Sequence, residues 1–453
     1  MPAYFLDHAL LPGGFARNVR LEVEDGLIRE VMPGSGGDGA ERLAGIALPG
    51  LPNLHCHAFQ RGMAGLAERR GPANDSFWTW REVMYRFIGR LTPEDVEAIA
   101  GLAYAEMLER GFTTVGEFHY LHHDPDGRPY AEPAEMAGRI AAAAAETGIG
   151  LALLPSFYAH GGFGATPPVF GQRRFLSDLD GFARLLEGAR RHAARVPGAS
   201  VGIAPHSLRA VAPAELREVL ALAPDGPVHI HAAEQVREVE DCLAWSGRRP
   251  VAWLLDEAPV DGRWCLIHAT HMEPDETERL ARSGAVAGLC PLTEGSLGDG
   301  IFDGARFLEA GGRFGIGSDS CIEIDAASEL RQLEYTQRLA GRARNVMTTR
   351  EGESTGARLL DEALAGGAKA LAQPIGRIAA GARADLVVLD PDHPALAGHG
   401  PDSWIDAWLF SGGRDLVQTV VANGRAVVRD GRHLRRNAIA SRYRAVMARL
   451  AAA

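Results

Sequence analysis

The central part of the chain, residues 47 to 375, alternates short apolar segments with amphipathic helical segments. GFTTVGEFHY, GIGLALLPSFY, PVHIHAAE and WCLIHAT are typical apolar segments, and helical patterns such as PEDVEAIAGLAYAEMLER separate them. Counted from LPNLHCHAFQR onward, the alternation gives eight strand–helix units. Eight parallel strands with helices outside are the number that closes a (β/α)8 TIM barrel. The sequence therefore predicts an α/β protein built around such a barrel.

The two ends of the chain follow a different pattern. NVRLEVEDGLIREVMPG and LVQTVVANGRAVVRDG alternate apolar and polar residues around DG and NG turns, which is typical of β-hairpins. Because both ends are β-rich, we expect them to meet in one small β-sandwich domain. Residues 1–46 would form its N-terminal part, 47–375 the barrel, and 376–453 the C-terminal part with a terminal helix at IASRYRAVMARL.

Charge and cysteine usage restrict the partners of the protein. A formal net charge of −11 argues against nucleic acid or an anionic membrane, but it leaves a small anionic substrate possible if the pocket is basic. No apolar run of about 18 residues predicts a membrane span, and the first residues lack the pattern of a signal peptide. The five cysteines form no CxxC pair. We therefore expect a cytoplasmic protein.

Polar side chains recur where the predicted barrel strands end. His55 and His57 are separated by one residue, so they share one face of an extended strand. An HxH pair alone is weak support for a metal site. Other strand ends carry Glu117, His119, Tyr120, His206, Arg209, His231, Glu234, His268 and Asp319. Because the C-terminal ends of barrel strands carry the chemistry in this fold, the recurrence predicts an active site.

The type and order of these residues resemble those of the amidohydrolase superfamily, and the resemblance covers the whole chain. HxH follows strand one, HxxE lies on strand five, a histidine ends strand six, and SDS follows strand eight. The resemblance is to the branch that holds one metal ion, and it implies one Zn²⁺ per chain with the ligands His55, His57, His231 and Asp319. Three imidazoles and a carboxylate suit Zn²⁺, which generates hydroxide from water near neutral pH.

The same resemblance implies the catalytic roles. Glu234 would carry a proton to the departing nitrogen, His268 would hold or deprotonate the water, and Asp319 would act as both ligand and proton acceptor. Binuclear members of the superfamily use a carboxylated lysine on strand four. The only lysine of this chain is Lys369, beyond strand eight, so a single metal ion is expected.

The stretches HAFQRGMAGLAE, WREVMYR, EFHYLHH and PHSLRAV resemble one subgroup, the N-formimino-L-glutamate iminohydrolases of bacterial histidine breakdown. That resemblance implies hydrolysis of the formimino C=NH carbon of N-formimino-L-glutamate to N-formyl-L-glutamate and ammonia. It also implies substrate contacts by Gln60, Arg81, Tyr120, His206 and Arg209. Two arginines suit a small dicarboxylate because guanidinium groups pair carboxylates bidentately.

Several alternatives stay open at this point. The chain could deaminate a purine such as guanine or S-adenosylhomocysteine, although two arginines and the lack of an obvious stacking set count against that. It could hydrolyse N-formimino- or N-formyl-aspartate, or it could be an inactive scaffold that kept the barrel. A homodimer is a candidate assembly.

Three further histidines are expected to lie outside the site. His229 is expected to face away from His231 and to pack behind the barrel. His122 and His123 are expected to be solvated loop residues.

Overall fold

The chain forms two β-sheets, one from its two ends and one from its centre. The computed structural model describes residues 2–71, 75–412 and 414–452, so Met1 and Ala453, the outer limits of the predicted domains, lie outside it. The strands are β1 (Ala3–Leu11), β2 (Gly14–Glu24), β3 (Leu27–Met32), β4 (Glu41–Pro49), β5 (Leu51–Cys56), β6 (Phe112–His119), β7 (Gly150–Phe157), β8 (Ser200–Val201), β9 (Ala204–Pro205), β10 (Val228–Ala232), β11 (Trp264–His268), β12 (Val286–Leu289), β13 (Arg313–Ile316), β14 (Leu386–Leu389), β15 (Val417–Ala422), β16 (Arg425–Arg429) and β17 (Arg432–His433). The α-helices are α1 (Phe77–Ile88), α2 (Pro93–Glu109), α3 (Glu135–Thr147), α4 (Leu179–Ala193), α5 (Pro213–Ala221), α6 (Val236–Ser246), α7 (Pro250–Glu257), α8 (Pro274–Ser283), α9 (Pro291–Leu297), α10 (Gly304–Glu309), α11 (Ala326–Gly341), α12 (Thr355–Ala370), α13 (Trp404–Phe410) and α14 (Arg436–Ala452).

The central sheet is a closed parallel barrel. Its strands follow the order β10-β11-β12-β13-β5-β6-β7-β8, and the short β9 also pairs with β7. Isolated parallel bridges from Ile203 to Val228 and from Ser207 to His231 close the ring. Strands β5, β6, β7, β10 and β11 are buried along their whole length, which explains why they appear in the sequence as continuous apolar runs. The predicted (β/α)8 barrel is confirmed.

The junction between the last and first barrel strands relies on a buried side chain. β13 pairs with β5 at a single position, Ile316 opposite Asn53. The Asn53 amide strengthens this junction, because Nδ2 donates to Ser318 Oγ over 2.7 Å and Oδ1 accepts from Ser318 N over 3.1 Å. Asn53 is fully buried, so these bonds form away from competing water. They fix the two strand ends that carry His55 and Asp319.

The second sheet combines both ends of the chain, as predicted for the smaller domain. Its order is β17-β16-β15-β14-β4-β1-β2-β3, so β4 lies between an N-terminal and a C-terminal strand. β4 runs from Glu41 to Pro49 and leads into β5 through Gly50. The strand crosses the proposed boundary at residue 46, and that division of the chain stays a prediction.

The terminal helix α14 packs on the outside of the barrel. Its Ile439 forms a small apolar cluster with Leu102 and Ala105 of α2. None of the helices in the described part of the chain has the length and apolarity needed to cross a membrane.

A buried guanidinium joins the end sheet to the barrel. Arg383 Nε donates to Asp385 Oδ2 over 2.8 Å, and Nη1 donates to Gln373 Oε1 over 2.7 Å. Nη2 also reaches Thr114 Oγ1 on β6. Asp385 Oδ1 accepts from the backbone of Asn423 over 2.9 Å. Arg383 and Asp385 are 4% and 2% exposed, so neither charge can be solvated if its partner is lost.

Arg383→Met should therefore destabilise the whole protein. Removing one partner of a buried ion pair typically costs about 3–5 kcal/mol because the other charge is left uncompensated. The free energy of unfolding in denaturant measures the loss. Arg29→Met is the matched control, because Arg29 pairs with Glu24 at 63% and 43% side-chain exposure and such surface pairs contribute about 0–1 kcal/mol. Equal effects of the two substitutions would contradict the structural role of Arg383.

Candidate active site

Three imidazoles and one carboxylate converge at the C-terminal end of the barrel. His55 Nε2 lies 3.2 Å from His231 Nε2 and 3.3 Å from Asp319 Oδ1. His57 Nε2 lies 3.4 Å from the same Asp319 oxygen. Ligands at the usual Zn–N distance of about 2.0–2.1 Å in a tetrahedral site are themselves about 3.3 Å apart. The measured separations therefore fit a small divalent cation.

The hydrogen bonds behind the rings leave the correct nitrogens free. His57 Nδ1 donates to Phe118 O over 2.8 Å, and His231 Nδ1 donates to His206 O over 2.9 Å. Because a carbonyl oxygen only accepts, both Nδ1 atoms carry the proton and both Nε2 atoms keep a lone pair. Burial lowers the pKa of His55 to about 3, although Asp319 opposes the shift. The ring is therefore neutral, as a metal ligand must be.

The backbone holds Asp319 against the strand-one histidines. Asp319 N donates to His55 O, and His57 N donates to Asp319 O, each over 3.0 Å. Burial alone would raise the pKa of the Asp319 carboxyl, but its hydrogen bond to His55 and the nearby imidazoles of His57 and His268 lower it. Asp319 is therefore ionised and brings a negative charge to the cluster.

Left-handed backbone conformations are concentrated around this cluster. Ala233, His268, Ala269, Asp319 and Cys321 have φ values of +52°, +67°, +48°, +41° and +55°. Side-chain-bearing residues rarely adopt this region, and the strain persists only where surrounding contacts enforce it. The turns lie at the ends of β10, β11 and β13. They redirect the chain where His268 and Asp319 must face the interior.

Glu234 and His268 lie beside the proposed ligands. Glu234 Oε1 is 3.8 Å from His268 Nε2, and Glu234 Oε2 is 3.4 Å from Arg209 Nη2. Burial opposes protonation of His268, but Glu234, Glu294 and Asp319 outweigh it and raise the pKa of His268 to about 10. A divalent cation at the cluster would add positive charge and lower this pKa. Burial raises the pKa of Glu234, which suits a group that both takes up and releases protons.

Sequence reasoning missed Glu294. Its Oε1 lies 3.2 Å from His268 Nδ1 and accepts from the backbone of Cys290 over 2.9 Å. The carboxylate thus fixes the ring orientation of His268. Glu294 lies on α9, the helix that follows the seventh barrel strand. The sequence of this helix contains no motif with a recognisable residue spacing, so nothing in it indicated a functional role for Glu294.

A cavity of about 570 Å³ opens onto the cluster. It is lined by His57, Gln60, Phe77, Trp80, Arg81, Met84, Tyr85, Tyr120, Tyr158, Phe175, His206, Arg209, His231, Glu234, His268, Leu297, Asp319 and Ser320. All five residues predicted to contact the substrate are among them. Gln60 Nε2 donates to Tyr120 OH over 2.7 Å. Gln60 Oε1, Arg81 Nε and Arg209 Nε are buried and have no hydrogen-bond partner among the residues that the structure describes, and buried polar atoms of this kind are normally satisfied. They point to a polar ligand.

The walls of the cavity are more aromatic than the sequence analysis expected. Phe77, Trp80, Arg81, Met84 and Tyr85 of α1 all line it, and their spacing of three, four, seven and eight residues places them on one helix face. No stacking set was obvious in the sequence, because the orientation of the α1 face toward the barrel mouth is decided by tertiary packing. Helical periodicity was the signal that could have found it.

Not every polar strand end reaches the cavity. Glu117 accepts from Ala58 N over 3.0 Å and from Tyr104 OH over 2.9 Å, and it supports the chain behind His57. Burial raises the pKa of Glu117 to about 7.

The expectations for the outlying histidines need correction. His122 is 1% exposed and bonds to Ser156 O over 2.9 Å, and His123 is half-buried and bonds to Leu176 O, so neither is a solvated loop residue. His229 bonds to Ala370 O over 2.8 Å and is structural. It lies two residues from His231, so it shares that strand face rather than the opposite one.

Comparison with known proteins agrees with this geometry. Residues 46–427 match the family described as "Amidohydrolase family", and residues 1–45 match "Formimidoylglutamate deiminase HutF, N-terminal domain". The chain is 56% identical over 435 residues, 96% of either chain, to a formimidoylglutamate deiminase of Pseudomonas aeruginosa. A crystal structure of an amidohydrolase from Brucella melitensis is 53% identical, with a TM-score of 0.95 and 100% coverage of both chains.

A more distant relative is described as an enzyme with a different activity. A 5-methylthioadenosine/S-adenosylhomocysteine deaminase of Natronomonas pharaonis is 30% identical over 420 residues, 91% of this chain and 88% of that protein. Relatives with different deaminase activities thus share the barrel. The family matched by residues 1–45 is described by a single activity, that of formimidoylglutamate deiminase. The chain belongs to the amidohydrolase family, and it shares with the formimidoylglutamate deiminases both the barrel and the N-terminal domain.

Proposed function

We propose that the protein is a metal-dependent deiminase that hydrolyses N-formimino-L-glutamate to N-formyl-L-glutamate and ammonia in histidine degradation. One observation carries this most strongly. Arg81 and Arg209, whose buried Nε atoms find no hydrogen-bond partner in the described part of the chain, line the same cavity as the histidine–aspartate cluster. A ligand with two carboxylates and a hydrolysable C=N carbon fits that arrangement. The 56% identity to the deiminase of P. aeruginosa supports the same substrate.

We propose Zn²⁺ as the metal, one ion per chain, held by His55, His57, His231 and Asp319. The support is the donor set, three neutral imidazoles and an ionised carboxylate, with three of its atom pairs at the 3.2 to 3.4 Å expected between ligands of a tetrahedral ion. When bound, such an ion makes water available as hydroxide near neutral pH. His268 is grouped with His55 and His231 by distance, but its Nε2 faces Glu234 and Asp319 at 3.8 Å, so we assign it to proton handling.

The arginines position the substrate. Arg209 and Arg81 would each bind one carboxylate, and the unpaired Gln60 Oε1 would accept from the substrate nitrogen. His206 and the hydroxyl of Tyr120 would complete the contacts. Fixing the dicarboxylate end places the formimino carbon over the cluster, and positioning of this kind supplies a large part of an enzymatic rate.

Glu234 and His268 would move the protons. Glu234 would take a proton from the attacking water and deliver it to the imino nitrogen, which becomes an amino group on a tetrahedral carbon. Glu234 would then carry the remaining hydroxyl proton to the same nitrogen, so that the C=O bond forms as the C–N bond breaks and ammonia leaves. His268, oriented by Glu294, hydrogen-bonds the attacking water. The contact between Arg209 and Glu234 links the substrate end of the cavity to this proton path.

A purine deaminase is the second candidate. The aromatic face of α1 and the 30% identical adenosine-type deaminase favour it. The arginine pair disfavours it, because a neutral nucleobase offers no carboxylate to the buried Nε atoms of Arg81 and Arg209. Ammonia release from N-formimino-L-glutamate, N-formimino-L-aspartate, guanine and S-adenosylhomocysteine decides between them. Turnover of a purine alone would overturn the proposal.

We also place the protein in the cytoplasm, supported by five cysteines that are all free. The homodimer stays a prediction.

The metal assignment predicts close to one Zn²⁺ per chain by elemental analysis. His55→Ala and His231→Ala should each lose the metal and the activity, because the remaining donors no longer enclose the ion. His399→Ala is the matched control, since His399 is exposed and should keep both. Two metal ions per chain at full occupancy would contradict the mononuclear site.

Removal of the proton carrier should affect rate and not metal. Glu234→Gln should keep its zinc and lose at least about a hundredfold in kcat, the range usual for general acid–base groups. Glu240→Gln, an exposed position on the neighbouring helix α6, should turn over like the wild type. If Glu234→Gln were equally active, Glu234 would have only a structural role.

Removing an arginine that pairs with a substrate carboxylate should lower kcat/KM for the dicarboxylate substrate specifically. Losing one partner of a buried charge pair costs about 2–5 kcal/mol, so Arg209→Met should lower kcat/KM for N-formimino-L-glutamate by roughly thirty- to several-thousand-fold. Zinc content should not change. Arg209→Lys should not restore activity, because an ammonium cannot reproduce the planar guanidinium fork.

Two controls accompany the Arg209 series. Arg217→Met removes an exposed arginine of α5 and should have little effect. An analogue with one carboxylate amidated should be a poor substrate for the wild type and little worse for Arg209→Met. Full turnover of the dicarboxylate by Arg209→Met would instead move a purine to first place.

A further inference from the structure

A second cavity adjoins the proposed substrate site. We call it the outer cavity; it measures about 1110 Å³ and is lined by Trp78, Arg81, Tyr158, Gly161, Gly162, Phe163, Thr166, Arg209, Arg237, Asp241, Ala244 and Trp245. Arg81, Tyr158 and Arg209 line both cavities. The two cavities therefore share both arginines that are proposed to hold the substrate.

Two guanidinium groups lie on one indole ring at the edge of the outer cavity. The Cζ atoms of Arg81 and Arg237 are 4.6 and 4.8 Å from the ring centroid of Trp78. Contact with an aromatic face stabilises a cation without neutralising its charge. Arg81 has no ion pair with any residue that the structure describes. The charge of Arg81 therefore stays available to an anion, and that of Arg237 is partly offset by Asp241 at 3.6 Å.

The outer cavity is strongly basic within an acidic protein. Its lining contains three arginines, and Asp241 is the one carboxylate in the same lining, 3.6 Å from Arg237. The chain as a whole carries a net charge of −11, which repels a dianion at long range. A concentrated patch of opposite sign in a concave wall focuses the field and attracts such a ligand locally.

The groove on the other side of α1 lacks this imbalance. It also touches the substrate cavity, through Trp80 and Leu297. Its charged lining residues are Glu68, Asp75 and Glu82 against Arg69, Arg70 and Arg86. Because acids and bases are balanced there, that groove offers a dianion no electrostatic preference.

We propose that the outer cavity is the entrance for the dianionic substrate, and that Arg237 and Trp78 form an outer anion-binding site that passes the substrate to Arg81 and Arg209. The proposal rests on the proposed function, since it needs a substrate with two negative charges. Phe163 and Trp245 stack with their ring centroids 5.6 Å apart, and both line the outer cavity. Arg237 is 64% exposed and is the first cation that an incoming carboxylate meets.

The test is the dependence of kcat/KM for N-formimino-L-glutamate on ionic strength, measured on the metal-loaded enzyme. Electrostatic focusing raises the association rate constant of a charged ligand by about 10- to 1000-fold. If three arginines contribute equal factors, each contributes roughly two- to tenfold. We expect Arg237→Gln to lower kcat/KM by that factor at an ionic strength of about 0.01 M and by almost nothing at about 1 M, where charges are screened. Arg237→Lys should restore the wild-type value, because focusing needs the charge and not the fork.

The substitution Asp241→Asn should change kcat/KM in the opposite direction. Removing the carboxylate that partly offsets Arg237 should raise kcat/KM at low salt by a similar factor, which no folding defect would produce. Arg86→Gln, on the balanced groove, is the matched control for a simple change in net charge and should leave kcat/KM close to the wild-type value.

Two outcomes separate this inference from the proposed function. If the wild type does not release ammonia from N-formimino-L-glutamate, the proposed function fails. If it does, but Arg237→Gln and Arg86→Gln behave alike at low salt, or Asp241→Asn lowers kcat/KM, the entrance lies elsewhere and the inference is overturned.

Discussion

The rest of the barrel depends on a buried cluster of three imidazoles and a carboxylate, in which successive nitrogen and oxygen atoms of His231, His55, Asp319 and His57 lie 3.2 to 3.4 Å apart. Lone pairs at such distances repel one another unless a cation lies among them. The molecule restrains them with the Asn53–Ser318 junction, with carbonyls behind two of the rings, and with left-handed turns at the strand ends. A metal that binds this cluster therefore also stabilises the fold, since its binding energy is lost on unfolding.

Strand periodicity and chain order could place His55, His57, His231 and Asp319 at one end of a barrel. Their assignment as metal ligands came from the resemblance to a family and stays a proposal. Arg81 was found only through resemblance to a family. Glu294 and the aromatic face of α1 escaped because they belong to helices whose orientation toward the barrel mouth is decided by tertiary packing. His122 was misjudged for a related reason, since a polar stretch of sequence does not reveal that a later segment covers it.

The same limit applies to the fold. Alternating apolar strands and amphipathic helices predicted eight barrel units, and hairpin turns predicted β-rich ends. The pairing of β4 with β1 on one side and β14 on the other could not be predicted, because strand adjacency between distant segments depends on packing rather than on local propensity. The buried Arg383 network shows what such packing achieves: one guanidinium holds residues from the end sheet, the barrel and the connecting segment.

The position of β4 in the end sheet also bears on how the protein is made. Roughly 340 residues separate Pro49 from Leu386, where its C-terminal partner β14 begins. At about 5–20 residues per second, β4 leaves the ribosome on the order of 20 to 70 s before that partner exists. Throughout this interval an apolar strand presents an unpaired edge, which is an aggregation hazard. Chaperone dependence during synthesis would then reflect the topology of the small sheet rather than the size of the barrel.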